Sequence, residues 1–427
     1  MEESQTRARG CFLFLQGPHG PFFKELGAAL RSDGHEVWRV GFNRGDERFW
    51  HDAARYIPFT GRIEDWPETF RSICAEKRIT DIVLYGDTRR IHSEAVSAAR
   101  AAGITVHVFE EGYLRPFWVT YERGGSNGHS RLMTMTIDGM RRDLPPEAED
   151  QHPPPAHWGD MRQHIFYGAL YHFHVMLRNH GYRNFSPHRG ITVGREFRLH
   201  LRRLLLMPLH RAERFAATMK IRLGRFPYHL VLLQLEHDAS FRNHSNFHSM
   251  TDFIELCLSA FAEGASQRHH LILKAHPLED GRAAIPPTIR RIARETGISD
   301  RVHFVRGGKL AALLDRAESV VTVNSTAAQQ ALWRGLPVRA LGRAIYAKPE
   351  LVSDQPLPAF FRAPRRPDIA AYRDFRRYLL DTCQVPGGFY SARGRRLLIP
   401  QLPRMMTAPE DPFDTLAADG AAALQQS

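Results

Sequence analysis

Short apolar runs that end in polar segments and lead into helix-forming segments recur from residue 11 to residue 341 of this chain. The run 11–15 predicts a buried strand, residues 16–21 predict a turn, and residues 22–32 predict a helix before the next strand at 37–42. Strands at 81–85 and 104–109 flank a further helix at 92–102. Strands that alternate with helices in this way predict an α/β fold with a mostly parallel sheet.

The same alternation starts again at Tyr228, after helical, aromatic and basic sequence. The pattern there predicts strands at 229–235, 270–274, 302–305, 319–323 and 337–341, separated by helices. A length of 427 residues also exceeds one ordinary core and suits two domains. We therefore predict two Rossmann-like domains of the GT-B kind, facing a central cleft.

The domain limits follow from this alternation and from local composition. An N-terminal Rossmann-like domain with a helical and basic extension is expected over residues 10–200, and a C-terminal Rossmann-like domain over residues 225–345. Residues 346–405 are predicted to form helices that pack back across the domains. Because Ala, Pro, Asp and Gln dominate residues 406–427, we predict a disordered tail there.

The chain has a formal net charge of +12, which predicts attraction to anionic lipid, nucleotide-linked acidic sugars or nucleic acid. The excess is greatest from Arg189 to Arg225, where basic and apolar residues are interleaved. This segment either lies on an anionic membrane surface or forms solvated helices between domains. No nucleic-acid-binding signature accompanies the charge, so nucleic acid is not an expected partner.

The cysteines and the hydropathy of the chain limit which further classes of protein it can belong to. Four scattered cysteines without a Cys-X-X-Cys pair predict neither a zinc knuckle nor a disulfide framework. No apolar run approaches the roughly 18 residues of a membrane span, and the first run is too short for a signal peptide. We therefore expect a cytoplasmic protein.

In open α/β sheets, ligands bind beyond the carboxyl ends of the strands, where this chain places its polar segments. Gln16, Gly17 and His19 lie in a Gly-rich loop before a helix. Such a loop can present backbone N–H groups to an anionic ligand, and a purely structural turn is the alternative.

A second polar segment in the N-terminal half begins with Glu110 and Glu111, with Tyr113 and Arg115 close behind. Two carboxylates at a strand end, with an Arg nearby, can position or deprotonate a hydroxyl group. Helix capping or a salt bridge is the alternative.

Residues 234–245 are dense in polar side chains directly after a strand. Period-2 alternation places Gln234 and Asp238 on one face, provided that the strand extends so far. Asp238 suits a nucleophile or a stabiliser of an oxocarbenium-like centre, and His244 and Ser245 suit contacts with phosphate or carboxylate. A polar loop without a ligand is the alternative.

Two more strand ends carry groups that suit phosphate. Lys274, His276 and Pro277 follow one strand, and a protonated His there can assist departure of a phosphate leaving group. After the strand at 319–323, a helix N-terminus predicts an anion site, with simple helix capping as the alternative. Its residues are Asn324, Ser325 and Thr326.

Together these segments resemble the KpsS capsule polysaccharide biosynthesis and export family of Gram-negative bacteria, over about residues 11–400. The phrases that carry the resemblance are FLFLQGPHGPFF, FNRGDERFW, FEEGYLRPFWVTYERGGSNGHS, DASFRNHSNF, LKAHPLEDG, VRGGKL, VNSTAAQQALWRGLPVRALG and CQVPGGFY. The resemblance implies a GT-B-like glycosyltransferase that transfers β-Kdo (3-deoxy-D-manno-oct-2-ulosonic acid) with retention. The implied donor is CMP-β-Kdo and the implied acceptor a (lyso)phosphatidylglycerol lipid, on which the poly-Kdo linker of a capsule begins.

The resemblance also implies residue roles. Asp238 matches the nucleophile position, His276 the His-Pro donor-binding motif and residues 325–326 the phosphate-binding motif, whereas residues 110–111 match a segment near the acceptor. The implied partners are CMP-Kdo, a phospholipid, the cytoplasmic face of the inner membrane and capsule biosynthesis or export proteins. The N-terminal domain is thus expected to bind the acceptor and the C-terminal domain the donor.

Metal and cofactor requirements follow from the donor. No Asp-X-Asp triplet, the motif on which many glycosyltransferases hold a metal, occurs in the chain. A CMP-sugar has one phosphate, whose charge His276, a helix N-terminus and basic side chains can compensate. We therefore expect neither a metal nor a cofactor.

Several alternatives stay open. A carboxylate facing the anomeric carbon of Kdo can form a transient adduct, but retention without a covalent adduct is also compatible with the residues. Another CMP- or UDP-sugar is the competing donor class. A non-catalytic scaffold for capsule export is the competing non-enzyme class.

Overall fold

The computed structural model describes residues 9–145, 161–185, 198–199, 202, 205–279 and 281–426. The chain divides into two compact units. Unit 1 comprises residues 1–134, 138–190 and 377–427, and unit 2 comprises residues 135–137 and 191–376. The segment predicted to pack back, 346–405, is therefore shared between unit 2 and unit 1.

The strands fall into two groups, one in each unit. Unit 1 begins with β1 Cys11–Phe14, β2 Glu36–Gly41, β3 Tyr56–Pro58, β4 Asp81–Tyr85, β5 Thr105–Glu111 and β6 Trp118–Arg123. Unit 2 contains β7 Tyr228–Leu232, β8 His270–Lys274, β9 Val302–Val305, β10 Ala317–Thr322 and β11 Val338–Ala340. The chain then returns to unit 1 with β12 Gln384–Pro386.

The helices connect these strands. Those before β7 are α1 Phe22–Ser32, α2 Arg44–Arg48, α3 Trp66–Lys77, α4 Arg90–Ala101, α5 Ile137–Asp143, α6 Met161–Leu177 and α7 Met207–Gly224. Those from β7 to β11 are α8 Ala239–Asn243, α9 Met250–Gly264, α10 Ile285–Glu295, α11 Ala311–Leu314 and α12 Gln329–Leu332. The remaining helices are α13 Leu357–Arg362, α14 Ile369–Thr382, α15 Ala392–Leu398, α16 Leu402–Thr407 and α17 Pro412–Gln426.

The unit 1 sheet has the order β12-β6-β5-β4-β1-β2-β3. Its five strands β3-β2-β1-β4-β5 are parallel and have the 3-2-1-4-5 order of a Rossmann fold. Strands β6 and β12 extend the β5 edge in antiparallel pairing. The sequence pattern did not predict these two strands.

Both faces of the unit 1 sheet are covered, because side chains alternate along each strand. Phe12 and Phe14 of β1 pack on one face with aromatic side chains of α1. Leu13 and Leu15 pack on the other face with Trp66 of α3. The continuously apolar run in the sequence is therefore a strand that is buried on both sides.

The unit 2 sheet is wholly parallel, with the order β11-β10-β7-β8-β9. Numbered from β7, this is again the order 3-2-1-4-5. Helix α9 begins with a capping box, in which Ser249 and Asp252 exchange side-chain-to-backbone hydrogen bonds of 2.9 and 3.1 Å. Its apolar side joins the core with Leu271 and Leu273 of β8.

These observations confirm the predicted fold class of two Rossmann-like domains. Whether the domains face a cleft stays a prediction. Part of the basic segment 189–225 lies outside the described residues, and α7 forms most of the described remainder.

The tail differs from its prediction, because helix α17 occupies residues that were expected to be disordered. Phe413 is buried against the Tyr378 ring, at a centroid distance of 6.0 Å. Asp414 forms an ion pair of 2.6 Å with Arg131. The composition favours disorder, but a few apolar residues suffice to anchor a helix onto an existing surface.

Substitution Phe413→Ala should destabilise the docking of α17 by about 3 kcal/mol, because it removes a buried aromatic ring. Amide hydrogen exchange over residues 412–426 should then accelerate roughly 100-fold. The control Leu397→Ala changes a side chain of α15 that is 41% exposed and lies outside the contact with Phe413, and it should change exchange of residues 412–426 little. If the amides of residues 412–426 exchange in the wild type as fast as in an unfolded chain, α17 is not docked and the structure is contradicted there.

Candidate functional site

Strand order locates one candidate ligand site in each unit. In a doubly wound sheet, the connections leave the carboxyl ends in opposite directions at the point where the strand order reverses. That point lies between β1 and β4 in unit 1 and between β7 and β10 in unit 2. Polar segments follow all four of these strands.

In unit 2 two side-chain amides, those of Gln234 and Asn324, bridge the point between β7 and β10 where the strand order reverses. The Gln234 amide nitrogen donates to Asn324 Oδ1 at 2.8 Å, and the Asn324 backbone N–H donates to Gln234 Oε1 at 3.0 Å. Asn324 Nδ2 also donates to the backbone oxygens of Ser240 and His244. Both amides are buried. They therefore hold the loop after β7, and the direct donor contacts predicted for them stay predictions.

Asp238 lies in that loop and is exposed. Strand β7 ends at Leu232, so the expectation that Gln234 and Asp238 share one strand face is wrong. Instead Asp238 is the N-cap of α8, where its Oδ1 accepts the Ser240 N–H at 3.3 Å. One carboxylate oxygen is thus oriented by the backbone, which leaves the carboxylate at the solvent edge of the loop.

The predicted contacts of His244 and Ser245 with the donor are not supported by their surroundings. The His244 side chain is buried, and its backbone oxygen accepts the Arg343 N–H at 2.8 Å. Ser245 Oγ donates to the Phe241 backbone oxygen at 2.6 Å. The Ser245 hydroxyl folds the loop back on itself, because a short polar side chain can satisfy a backbone group of a tight turn. His244 contributes its backbone oxygen.

Lys274 is the last residue of β8 and is only 6% exposed. No acceptor among the described residues pairs with its ammonium group. Burial lowers the pKa of Lys274 from its usual value of 10.5, because a low-dielectric environment disfavours the charged form. A buried cation in such a setting, at a carboxyl strand end, is suited to an anionic ligand.

His276 follows two residues later, and its Nδ1 accepts the Leu278 N–H at 3.1 Å. This bond occupies the Nδ1 lone pair, so the neutral ring carries its proton on Nε2. Nε2 is then the ring atom that can donate to a phosphate oxygen. Pro277 is exposed beside it.

Arg214 of α7 is a further cation at this edge, which the sequence pattern did not single out. Gly307 and Gly308 follow β9 with φ of +68° and +82°. A Cβ atom on Gly308 would lie 3.0 Å from Arg214 Cδ, and one on Gly307 would lie 3.7 Å from Pro277 Cα. The two glycines therefore let the Arg214 side chain approach the His-Pro segment.

Residues 325–326 follow β10 in a turn that is shorter than the predicted helix. A 3-10 turn over Thr326–Ala328 leads into α12, which has only four residues. Ser325 Oγ accepts the Ala327 N–H at 3.3 Å. A helix dipole therefore contributes little at this turn, and the two half-buried hydroxyl groups are the groups that can meet a ligand.

In unit 1, Gln16 bridges the point of strand-order reversal between β1 and β4 in a similar way. Its amide nitrogen donates to Asp46 at 3.3 Å and to the Tyr171 hydroxyl at 3.1 Å, and its oxygen accepts from Arg89 at 2.8 Å. Gln16 is buried and has a structural role in this network. Its contact with the acceptor stays a prediction.

Gly17 is also structural, because a Cβ atom there would lie 2.5 Å from the Phe23 ring. This close approach requires glycine whatever ligand binds nearby.

Glu110 and Glu111 end β5, so their side chains lie on opposite faces of the sheet. The Glu111 carboxylate accepts the Tyr85 hydroxyl at 3.2 Å and is hydrogen-bonded by Tyr390. Glu110 accepts the Glu111 backbone N–H at 3.1 Å. Glu111 is therefore the carboxylate that is hydrogen-bonded within an aromatic cluster, and a joint action of the two carboxylates on one hydroxyl group stays a prediction.

That cluster joins five segments that are distant in sequence. Tyr390 packs against His164 of α6 and against His19, at ring-centroid distances of 3.9 and 4.8 Å. Burial and the adjacent Glu111 carboxylate raise the pKa of both tyrosines, Tyr85 and Tyr390, well above its usual value. His19 is thus brought to the Tyr390 ring, which binds Glu111, and its contact with the acceptor stays a prediction. Tyr85, His164 and Tyr390 were missed. The segment CQVPGGFY was the only sequence signal for Tyr390.

Tyr113 and Arg115 are not part of the cluster. The Tyr113 hydroxyl is buried, donates to Glu122 at 2.6 Å and accepts the Asn127 N–H at 2.6 Å. Arg115 is exposed, and its Nε donates to the Gly112 oxygen at 3.2 Å. The prediction of Tyr113 as an acceptor contact is wrong, because its hydroxyl is committed inside the protein.

Within the part of the chain that the structure describes, no group of three or more His, Cys, Asp or Glu side chains is arranged to hold a metal ion.

Comparison with known proteins identified a matching protein family, similar sequences and a similar solved structure. The family model described as capsule polysaccharide biosynthesis protein matches residues 80–390. The capsule polysaccharide export protein KpsS of Escherichia coli is 31% identical over 388 residues, covering 89% of this chain and 96% of KpsS. The capsule polysaccharide modification protein LipB of Neisseria meningitidis serogroup B is 30% identical over 385 residues, covering 89% of this chain and 91% of LipB. Among solved structures, KpsC of Thermosulfurimonas dismutans, described as a beta Kdo 2,7 transferase, aligns over 89% of this chain and 92% of KpsC, with 12% identity and a TM-score of 0.43.

The buried charge of Lys274 makes a testable contribution to stability. In the unfolded chain its ammonium keeps its proton up to about pH 10.5, whereas the folded protein releases it at a lower pH. The unfolded state thus binds more protons between those two values, so stability should increase as the pH rises through that window. Lys274→Met should raise the free energy of unfolding at neutral pH without ligand, and should remove this pH dependence.

Urea unfolding at a series of pH values measures both effects. The control is Lys309→Met, which replaces an exposed lysine that follows β9. A loss of stability at neutral pH in Lys274→Met would show that the ammonium has a stabilising partner.

Proposed function

Because this chain belongs to the capsule polysaccharide biosynthesis protein family, we propose that it is a retaining glycosyltransferase that transfers β-Kdo from CMP-β-Kdo to a (lyso)phosphatidylglycerol acceptor. In this proposal it needs no metal or cofactor and works at the cytoplasmic face of the inner membrane. The observation that carries the proposal is the buried Lys274 ammonium at the carboxyl edge of the unit 2 sheet, which has no acceptor among the described residues. The choice of Kdo rests on the motif resemblance to the KpsS family.

Unit 2 is the donor side. Lys274 compensates the charge of the CMP phosphate or of the Kdo carboxylate, because an anion there supplies the pairing that a buried cation needs. The His276 Nε2–H, the Arg214 guanidinium and the hydroxyl groups of residues 325–326 supply further donors. A monophosphate carries little enough charge for these groups to hold it without a metal ion.

Asp238 is the nucleophile of this proposal. Its carboxylate attacks the anomeric carbon of Kdo while the bond from that carbon to the phosphate oxygen breaks, and CMP leaves with the electron pair. The acceptor hydroxyl then displaces the carboxylate and transfers its proton to a carboxylate base. Two displacements at one carbon give overall retention.

Unit 1 is the acceptor side, with Glu111 as the candidate base. The Tyr85 and Tyr390 hydroxyl groups orient its carboxylate, and His19 and His164 line the adjacent surface. The Glu110 side chain leaves β5 on the opposite face, and its carboxylate accepts the Glu111 backbone N–H.

The central test is incubation of the purified protein with CMP-Kdo and a fluorescent lysophosphatidylglycerol, followed by mass analysis of the lipid. We expect addition of Kdo and release of CMP, and no product with UDP-sugars. A preference for a UDP-sugar or another CMP-sugar would overturn the donor assignment. Absence of any transfer, with retained binding of capsule export proteins, would favour a non-catalytic scaffold.

Substitution Asp238→Asn should reduce transfer at least roughly 1000-fold, because the amide is no nucleophile but still caps α8. CMP affinity should change little. Mass spectrometry of the wild type with CMP-Kdo and no acceptor should detect a Kdo adduct that Asp238→Asn lacks. The control Asp354→Asn alters an exposed carboxylate and should leave the adduct in place.

Persistence of the adduct in Asp238→Asn would remove this residue as nucleophile. Full transfer without any adduct in the wild type would favour the mechanism without a covalent intermediate.

A further inference from the structure

Helix α6 has two apolar faces, only one of which is packed. His164, Tyr167 and Tyr171 recur at helical spacing and face unit 1, where Tyr167 contacts Phe49 and Tyr171 donates to Asp46. The opposite face is also apolar. A helix that is hydrophobic all round normally lies in a core or in a lipid environment.

The unpacked face of α6 is strongly exposed. Ile165 is 63% exposed, Phe166 61%, Phe173 45% and Leu177 57%, and Met176 lies among them. On a helical wheel these five side chains fall within one continuous stripe, directly opposite the packed face. Contiguous exposed apolar side chains of this kind mark an interaction surface.

The charge around the stripe indicates the nature of the partner. No Asp or Glu occurs from residue 161 to residue 195, whereas Arg162 precedes the stripe along the chain and Arg178 and Arg183 follow it. An apolar helix face with arginines at both ends, on a helix without acidic residues, fits the head-group region of an anionic bilayer.

We propose that the stripe of α6 inserts into the interfacial layer of an anionic phospholipid membrane. The helix has 17 residues, and among the described residues no helix is long and apolar enough to cross a membrane. Helix α6 therefore lies in the plane of the interface, with its apolar side chains among the acyl chains and its arginines at lipid phosphates.

This orientation has a consequence for the acceptor. The packed face of α6 carries His164, which stacks on Tyr390 beside Glu111. A lipid held by the stripe thus has its head group within one helix diameter, roughly 10 Å, of the acceptor side. This consequence rests on the proposed function, whereas membrane insertion itself does not.

The test uses the full chain and extruded vesicles of phosphatidylglycerol and phosphatidylcholine, with pure phosphatidylcholine vesicles for comparison and no sugar donor. We expect co-sedimentation with the anionic vesicles. Ile165→Gln/Phe166→Gln should weaken the partition coefficient at least roughly tenfold, because two anchoring side chains lose their apolar transfer energy. The control Leu397→Gln changes an exposed leucine elsewhere in unit 1 and should bind as the wild type does.

Equal vesicle binding by the wild type and the double variant would overturn the proposal. A dimer in light scattering that the double variant abolishes would overturn it in favour of a second copy of this chain. Transfer to a short-chain, water-soluble phosphatidylglycerol should be unchanged in the double variant. Vesicle binding without transfer to any lipid would support the membrane-binding stripe and would reject only the proposed transfer to a lipid acceptor.

Discussion

The pairing of the first strand with the fourth, β1 with β4 and β7 with β10, is the constraint on which the rest of this protein depends. Parallel strands that are buried on both faces carry mostly apolar side chains, and polar side chains within them are paired, as Asp81 of β4 is with His107 of β5. Polar groups therefore collect at the carboxyl ends, and reversal of strand order at this pairing opens a crevice there. Each unit has its candidate site at this position.

Both units close the crevice floor with a buried glutamine amide. Gln16 and Gln234 stand at equivalent points after the first strand of their sheets, and each is hydrogen-bonded by a residue that follows the fourth strand. Because an amide can donate and accept at once, it joins two chain segments without burying a net charge. These glutamines are predicted ligand contacts, and their hydrogen bonds also make them supports for the residues around them.

The order and type of the main elements were predictable, because hydrophobic periodicity reports burial directly. The residues at which elements begin and end were less predictable. One such boundary, the end of β7, changed the predicted position of Asp238. Since β7 ends at Leu232, Asp238 is a helix cap at the solvent edge instead of a strand residue. The strand β12 was missed because its pairing with β6 joins segments more than 250 residues apart, and local periodicity carries no information on such contacts. Strand β6 was also missed, although it pairs with the neighbouring strand β5.

By itself, the sequence determined two parallel α/β halves, the strand ends where polar groups gather, and the family resemblance, because each depends on residues that are close along the chain. Tertiary structure decided which of those groups face a ligand. It placed Glu110 and Glu111 on opposite faces, buried Tyr113, and brought Tyr390, His164 and His19 to Glu111. Side-chain direction and burial depend on packing between distant segments, and only the folded chain specifies that packing.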